Sequence, residues 1–246
     1  MAAAFAFDAI GTRWSIDTPA PLSAGMRDGV LALVERFDRD WSRFRTDSRV
    51  TVVAAAQGGG RFAFPLEAAR LFAFYDRLHA ATGGAVDPLV GRDLERLGYG
   101  RDYALLRRAG LTAHVVDASG DMRHAGPEPL AVGLENPEAP GEVIGVANLR
   151  GRALCASAIT RRCWGDGLHH VIDARTGEPT RDVIATWVVA DDAMVADGLA
   201  TALFFTGHAA LAGIAAFEFV RMFADGRAER SAGFDGTLFE DPPCEE

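Results

Sequence analysis

The sequence predicts an α+β fold in one continuous domain over residues 1–246, and three observations carry that expectation. Amphipathic stretches with helical spacing and short apolar runs follow one another without the regular strand-helix-strand alternation of a parallel sheet. Apolar residues make up 49% of the chain, enough for a sizeable buried core. No internal repeat or low-complexity linker divides it.

Residues 5–8 and 13–17 read as two short strands around Gly11. Residues 22–41 then read as a helix: Val30, Val34, Phe37 and Trp41 recur at helical spacing, and Pro21 with Ser23 supplies its start. Thr46, Asp47 and Ser48 carry turn chemistry, and residues 49–56 read as an apolar strand ended by Gly58, Gly59 and Gly60. A second amphipathic helix over 65–81 stops at Gly83 and Gly84. Residues 87–99 read as loop and short helix, 101–110 as a further helix, and 114–117 as a strand. Strands at 130–134, 143–146, 154–156, 168–173 and 186–190 complete mixed sheets flanked by helices. Asp192 caps a helix over 193–205, which Gly207 terminates.

Charge narrows the function. A formal charge of -9 argues against an electrostatic grip on nucleic acid or on an anionic membrane. All 25 basic residues are arginine, which excludes lysine Schiff-base chemistry and a P-loop lysine. Cys155, Cys163 and Cys244 form no CxxC pair and no scaffold spacing, so reduced thiols are expected. The first residues lack a basic, apolar leader pattern, and no window approaches the about 18 apolar residues of a membrane span. The expectation is a cytoplasmic protein with no membrane insertion.

The chemistry concentrates in residues 168–207. Asp197 and Thr201 stand four apart on the predicted helix and share a face, so a carboxylate and a hydroxyl can offer oxygen ligands to a hard cation such as Mg²⁺. From spacing alone, an aspartate bonded to backbone amides and a packed threonine is the commoner outcome. His169 and His170 are adjacent in a predicted strand and point to opposite faces, so at most one serves a site, by phosphate positioning or proton transfer. Asp173 to Gly177 reads as a tight turn, and Thr82 to Pro88 and Ala118 to Asp121 as glycine-containing loops that let a backbone approach a nucleotide. No GxSxG elbow, HExxH pair or zinc spacing is present.

Taken in order, these segments resemble one family. IGTRWSI at 10–16 resembles an MGTxW opening, WSRF at 41–44 with Asp47 and Ser48 an S-x-F-x-x-x-S segment, and TGGAVDP at 82–88 an SGGAFDPT loop. LGYG at 97–100 is similar to WGFG, Ser119-Gly120-Asp121 to GGD, Ala156-Ser157 to a TSG loop, and HHVIDARTG at 169–177 to HHIIDPRTG. AMVADGLAT at 193–201 matches A-M-x-A-D-x-L-A-T, the most specific piece. Asp225-Gly226 and residues 231–234 resemble the closing strands. The family is ApbE, the FAD:protein FMN transferases.

The resemblance implies that Asp197 and Thr201 ligate Mg²⁺ at the FAD diphosphate, with His170 near that centre and Asp197 and His170 as the catalytic pair. It implies nucleotide contacts from Gly83, Gly84, Asp87, Ser119, Gly120, Asp121, Ser157 and Thr176. A Thr or Ser hydroxyl of an acceptor protein would attack the FMN-side phosphorus and release AMP. Between Gly100 and Ser119 the family carries a DLGGIAKGY stretch whose alanine carbonyl is a third metal ligand; only residues 101–106 stand in that place here. Asp191, Ala174 and Ser119 also replace a proline, a proline and a glycine. The shortened middle leaves apolar surface that a second subunit would cover, so a homodimer is expected. Two alternatives stay open: a non-catalytic flavin-binding relative, and a metal-dependent FAD pyrophosphatase with water as nucleophile.

Overall fold

The computed structural model describes residues 3–10, 12–42, 45–56, 58–87, 113–164 and 168–239. The predicted short helices between residues 88 and 110, and the shortened stretch after Gly100, lie outside the described residues.

Strands β1 (Ala3–Ala9) and β2 (Thr12–Thr18) form a hairpin in which Ala9 faces Thr12. Trp14 and Ile16 alternate inward and bury against Val30 and Met26 of helix α1 (Ala24–Trp41). Ser23 starts α1 by accepting from the Met26 amide. The run 49–56 is not the predicted strand but helix α2 (Arg49–Ala55). Its β-branched residues suggest a strand, yet the Ser48 side chain caps the Thr51 amide at 3.1 Å and also reaches the Thr51 hydroxyl. A satisfied cap outweighs the modest strand preference of three valines and a threonine. Helix α3 (Ala68–Ala81) begins three residues later than predicted.

The remaining strands are β3 (His114–Asp117), β4 (Asp121–Ala125), β5 (Leu130–Glu135), β6 (Val143–Leu149), β7 (Ala153–Ala158), β8 (Cys163–Trp164), β9 (Leu168–His169), β10 (Ile172–Asp173), β11 (Glu178–Pro179), β12 (Val183–Ala190), β13 (Phe217–Phe223), β14 (Ala228–Arg230) and β15 (Gly236–Leu238). Helices α4 (Ala193–Ala202) and α5 (His208–Leu211) stand between β12 and β13. Eight strands pair in the order β1-β2-β3-β4-β7-β12-β13-β14, and β15-β6-β5 form a second sheet. Every pairing among the described residues is antiparallel.

All eight residues of β12 are buried because both faces of the large sheet are covered. On one face, Ala153, Cys155, Val188, Phe217 and Phe219 pack with Leu199 and Leu203 at the end of α4 and with Phe74 and Leu78 of α3. On the other, Leu154, Trp187, Val189 and Met222 pack against Leu134, Ala147 and Leu149 of the smaller sheet. The predicted strand 168–173 is broken: β9 pairs with β8 and β10 with β11, and His170 sits at the bend between them. Helix 193–205 is shorter than predicted, since Phe204 and Phe205 amides bond to Thr201 and Ala202 in tight turns after residue 202. No helix among the described residues is long and apolar enough to cross a membrane.

Candidate functional site

Helix α4 is held at both ends and on two sides. Asp192 caps it, with Oδ1 accepting from the Met194 and Val195 amides at 3.0 and 3.3 Å, while Oδ2 accepts from Arg70 of α3 at 2.7 Å. At the other end Arg221 of β13 donates to the Leu203 and Thr206 carbonyls, placing a cation at the negative end of the helix dipole. The sheet side is tied by Cys155 Sγ to the Ala193 carbonyl and by the buried Thr186 hydroxyl to the Ala200 carbonyl at 2.8 Å. Ala196, Leu199 and Ala200 are buried there, and Gly198 turns to Phe74 and Leu78 of α3. With 3.6 residues per turn, Asp197 and Thr201 fall on the stripe left between the sheet-facing and α3-facing sides, and both are half-buried.

The sheet presents two more of the expected residues on the α4 side. Asp121 lies directly opposite Cys155, and Ser157 lies two residues beyond Cys155 and opposite Thr186. Ser157 stands inside a strand rather than on the loop expected. Ser119 and Gly120 form the turn before Asp121, both at positive φ, 57° and 115°. The Ser119 hydroxyl accepts from Thr12 at 2.7 Å and donates to the Arg13 carbonyl, so it braces the turn against the β1–β2 hairpin. Gly120 bonds Asp117 through its amide and the Ala156 amide through its carbonyl.

The loop after α3 carries the next of the expected residues. Gly83 and Gly84 take φ of 60° and 89°, closing α3 by amide bonds to Ala80 and His79 carbonyls. Val86 enters the same apolar cluster as α4. Asp87 pairs with His79 Nδ1 at 3.3 Å. The turn 173–177 packs on this loop, since the Ala174 amide donates to the Ala85 carbonyl and Arg175 lies against Gly83 and Gly84. Asp173 receives Arg175 Nε and Nη2 at 2.9 and 2.5 Å, which holds its carboxyl below the usual carboxylate range. Thr176 is exposed, and its hydroxyl is shared between the Asp173 carbonyl and the Glu178 amide within the turn.

The histidine pair divides its roles. His169 is buried, its Nδ1 accepts from the Val171 amide at 3.3 Å, and its Nε2 therefore carries the hydrogen that bonds the Thr180 carbonyl at 2.7 Å. Burial pushes the His169 imidazole below its ordinary value, and the Arg181 charge adds to this against the Thr180 carbonyl. His169 is thus a structural histidine, and His170, half-buried at the bend, is the one of the pair left as a candidate. His124 is also held low by burial, with Nδ1 accepting from the Gly151 amide. Both folded values lie below the unfolded one, so the stability they contribute is present above about pH 6.5 and is lost as pH falls through and below it. The urea midpoint should be level between pH 8 and 7 and drop by pH 5.5, and His169→Gln should flatten that drop; an equal drop in the variant would exclude His169 as its source.

Sequence reasoning located α4 and both loops but missed His79 and Arg175 as neighbours of the Gly83-Gly84 step, and Thr12 as the partner of Ser119. Helix and turn ends bring them there, with no spacing rule to announce it. Among the described residues no group of three or more His, Cys, Asp or Glu side chains is placed to hold a metal. Asp197 and Thr201 offer the hard oxygen donors that suit a Mg²⁺ held with substrate phosphate and water.

Comparison with known proteins gives the fold and the family. The chain superposes on an ApbE protein from Thermotoga maritima with a TM-score of 0.78 at 21% identity, covering 94% of this chain and 97% of that one. It superposes on the flavin transferase ApbE from Vibrio cholerae with 0.77 at 17%, covering 94% and 97%. At such identities these two show a shared fold. An FAD:protein FMN transferase from Rhodobacter capsulatus is 32% identical over 133 residues, 50% of this chain and 25% of that protein. The match thus spans about a quarter of the length of that curated relative. A family model for ApbE matches residues 10–104 and 97–222, two overlapping segments that together take in well over half of the sequence, and the chain belongs to the ApbE family.

Proposed function

We propose that the protein is an FAD:protein FMN transferase that uses Mg²⁺. The observation that carries this is the α4 stripe, which leaves Asp197 and Thr201 half-buried and side by side on a helix otherwise packed against the sheet and α3. Asp197 and Thr201 would hold the ion, which when bound would neutralise the charge that develops on the phosphoryl oxygens. The remaining protein work is positioning. In this reading Gly83, Gly84 and Asp87 with Thr176 would approach the nucleotide from the loop after α3 and the turn packed on it, and Ser119, Gly120, Asp121 and Ser157 from the sheet.

In the proposed reaction a Ser or Thr hydroxyl of an acceptor protein forms a bond to the FMN-side phosphorus. The bond from that phosphorus to the bridging oxygen breaks, AMP departs with the bridging oxygen, and FMN remains in phosphodiester linkage. His170 is assigned to accept the hydroxyl proton. In this reading two protein oxygens suffice because substrate phosphate and waters complete the shell.

The test mixes the purified protein with FAD, Mg²⁺ and an acceptor domain bearing a Thr or Ser site, and reads in-gel flavin fluorescence together with AMP release. Fluorescence on the acceptor with stoichiometric AMP is expected. AMP without labelling identifies a pyrophosphatase, and retained flavin with neither identifies a binding protein; each result overturns the transferase reading.

A further inference from the structure

Strand β12 carries one polar residue in an otherwise apolar run, VIATWVVA, and that residue, Thr186, is 0% exposed. Valine fills nearly the same shape and suits a strand as well, so packing does not call for the hydroxyl. What the hydroxyl meets is the end of α4, where Thr186 Oγ1 donates to the Ala200 carbonyl at 2.8 Å. In a helix that ran on, that carbonyl would take the Phe204 amide, but the Phe204 amide closes on Thr201 instead at 3.2 Å. Ala200 is itself fully buried, so the hydroxyl takes the place of the missing amide and spares the cost of an unmet carbonyl. Thr186 is held in its own place by pairing of β12 with β7 on one side and β13 on the other.

The carbonyl of Ala200 and the amide of Thr201 belong to one planar, rigid peptide unit. In the α-helical repeat that amide closes on the Asp197 carbonyl, four residues back. The unit that carries the Thr201 side chain is thus held at its amide by Asp197 and at its carbonyl by Thr186, at the point where α4 tightens. We propose that Thr186 is a positioning residue that fixes Thr201 beside Asp197 and thereby favours Mg²⁺ over larger cations. This inference rests on the reading of Asp197 and Thr201 as the metal ligands. Mg²⁺ demands near-ideal octahedral geometry at short distance, whereas Ca²⁺ accepts variable oxygen shells, so a hydroxyl ligand allowed to drift costs the smaller ion more.

The test follows FAD binding by flavin fluorescence, without acceptor protein, as Mg²⁺ or Ca²⁺ is added to the wild type, Thr186→Val, Thr186→Ser and Asp197→Ala. In Thr186→Val the half-saturating Mg²⁺ concentration should rise about tenfold, and that of Ca²⁺ by no more than about threefold. Thr186→Ser keeps the donor and loses only a methyl group, so it should lower Tm yet stay within about twofold of wild type for both ions. Equal shifts for the two ions in Thr186→Val, no shift, or a shift as large in Thr186→Ser would overturn the positioning role. Should Thr186→Val not fold, Thr186→Cys, a weaker donor of similar size, is read by the same ratio of Mg²⁺ to Ca²⁺ shifts, and a ratio equal to that of Thr186→Ser overturns the role. With Thr186→Val unchanged and the Mg²⁺ response lost in Asp197→Ala, the positioning role fails and the metal reading stands. FAD binding that needs no divalent ion in the wild type, or that stays as metal-dependent in Asp197→Ala, sinks the metal reading and the positioning role with it.

Discussion

Asp197→Ala is expected to lower the proposed Mg²⁺-dependent FMN transfer by about a hundredfold or more, because several kcal/mol of charge stabilisation at phosphorus would depart with the ion. The fold should survive. Asp197 is half-buried on α4 and does not cap it, since the capping carboxylate of the helix is Asp192. Loss of a half-buried carboxylate that does not cap its helix falls within about 1 kcal/mol. Transfer rates across a Mg²⁺ series, with urea unfolding beside them, separate the two effects. Wild-type rates in the variant would remove Asp197 from the reaction, and unfolding of the variant would make it a structural residue instead.

Gly198→Ala is expected to act in the opposite sense, through stability first. A Cβ at that position would stand 2.8 Å from Leu78 Cδ1 and 2.9 Å from Phe74 Cζ, closer than packed carbons approach. Both neighbours are buried, at 0% and 2% exposure, and have no empty space to retreat into. Overpacking of this kind costs about 1–3 kcal/mol, more than the about 1 kcal/mol that alanine gains over glycine in a helix. The net loss should appear as a lower urea midpoint, larger still for Gly198→Val, and Phe74→Leu in the same chain should restore part of it. Since α3 leads directly into Gly83 and Gly84, the same shift should weaken FAD binding even where the variant remains folded. A midpoint equal to wild type would mean that α3 and α4 separate without cost.

These two neighbours on one helix show how differently sites and packing are written in the chain. Asp197 and Thr201 were visible as a pair because the helical repeat alone puts residues four apart on one face. The identity of the helix was equally plain, with Asp192 before an apolar run. Gly198 carried no such signal, because its partners Phe74 and Leu78 lie over a hundred residues away in sequence, and nothing local says which helix will cross there.

Strand β13 was missed for a related reason. Glu218 and Arg221 interrupt its apolar run, yet both are half-buried and satisfied by distant partners: Glu218 by Arg152 at 2.5 Å, Arg221 by Glu229 and by the carbonyls closing α4. A strand pattern read locally counts those charges as exposed. Residues 49–55 failed the other way, since a valine-rich run looks like a strand until the Ser48 cap is seen to close. The broken strand at His170 belongs here too, because its two halves answer to different partners, β8 and β11.

The linear order of residues was enough for the α+β class, for the capped helix bearing Asp197 and Thr201, for both glycine loops, and for the resemblance that the family match bears out. All of these depend on short-range periodicity, capping and turn chemistry. Packing alone settled that His169 is structural, that Ser119 braces a hairpin, and that His79 and Arg175 meet over Gly83 and Gly84. The last two are contacts between residues whose separation in the chain bears no relation to their separation in space. Such contacts exist only once a closed core has fixed where every element ends.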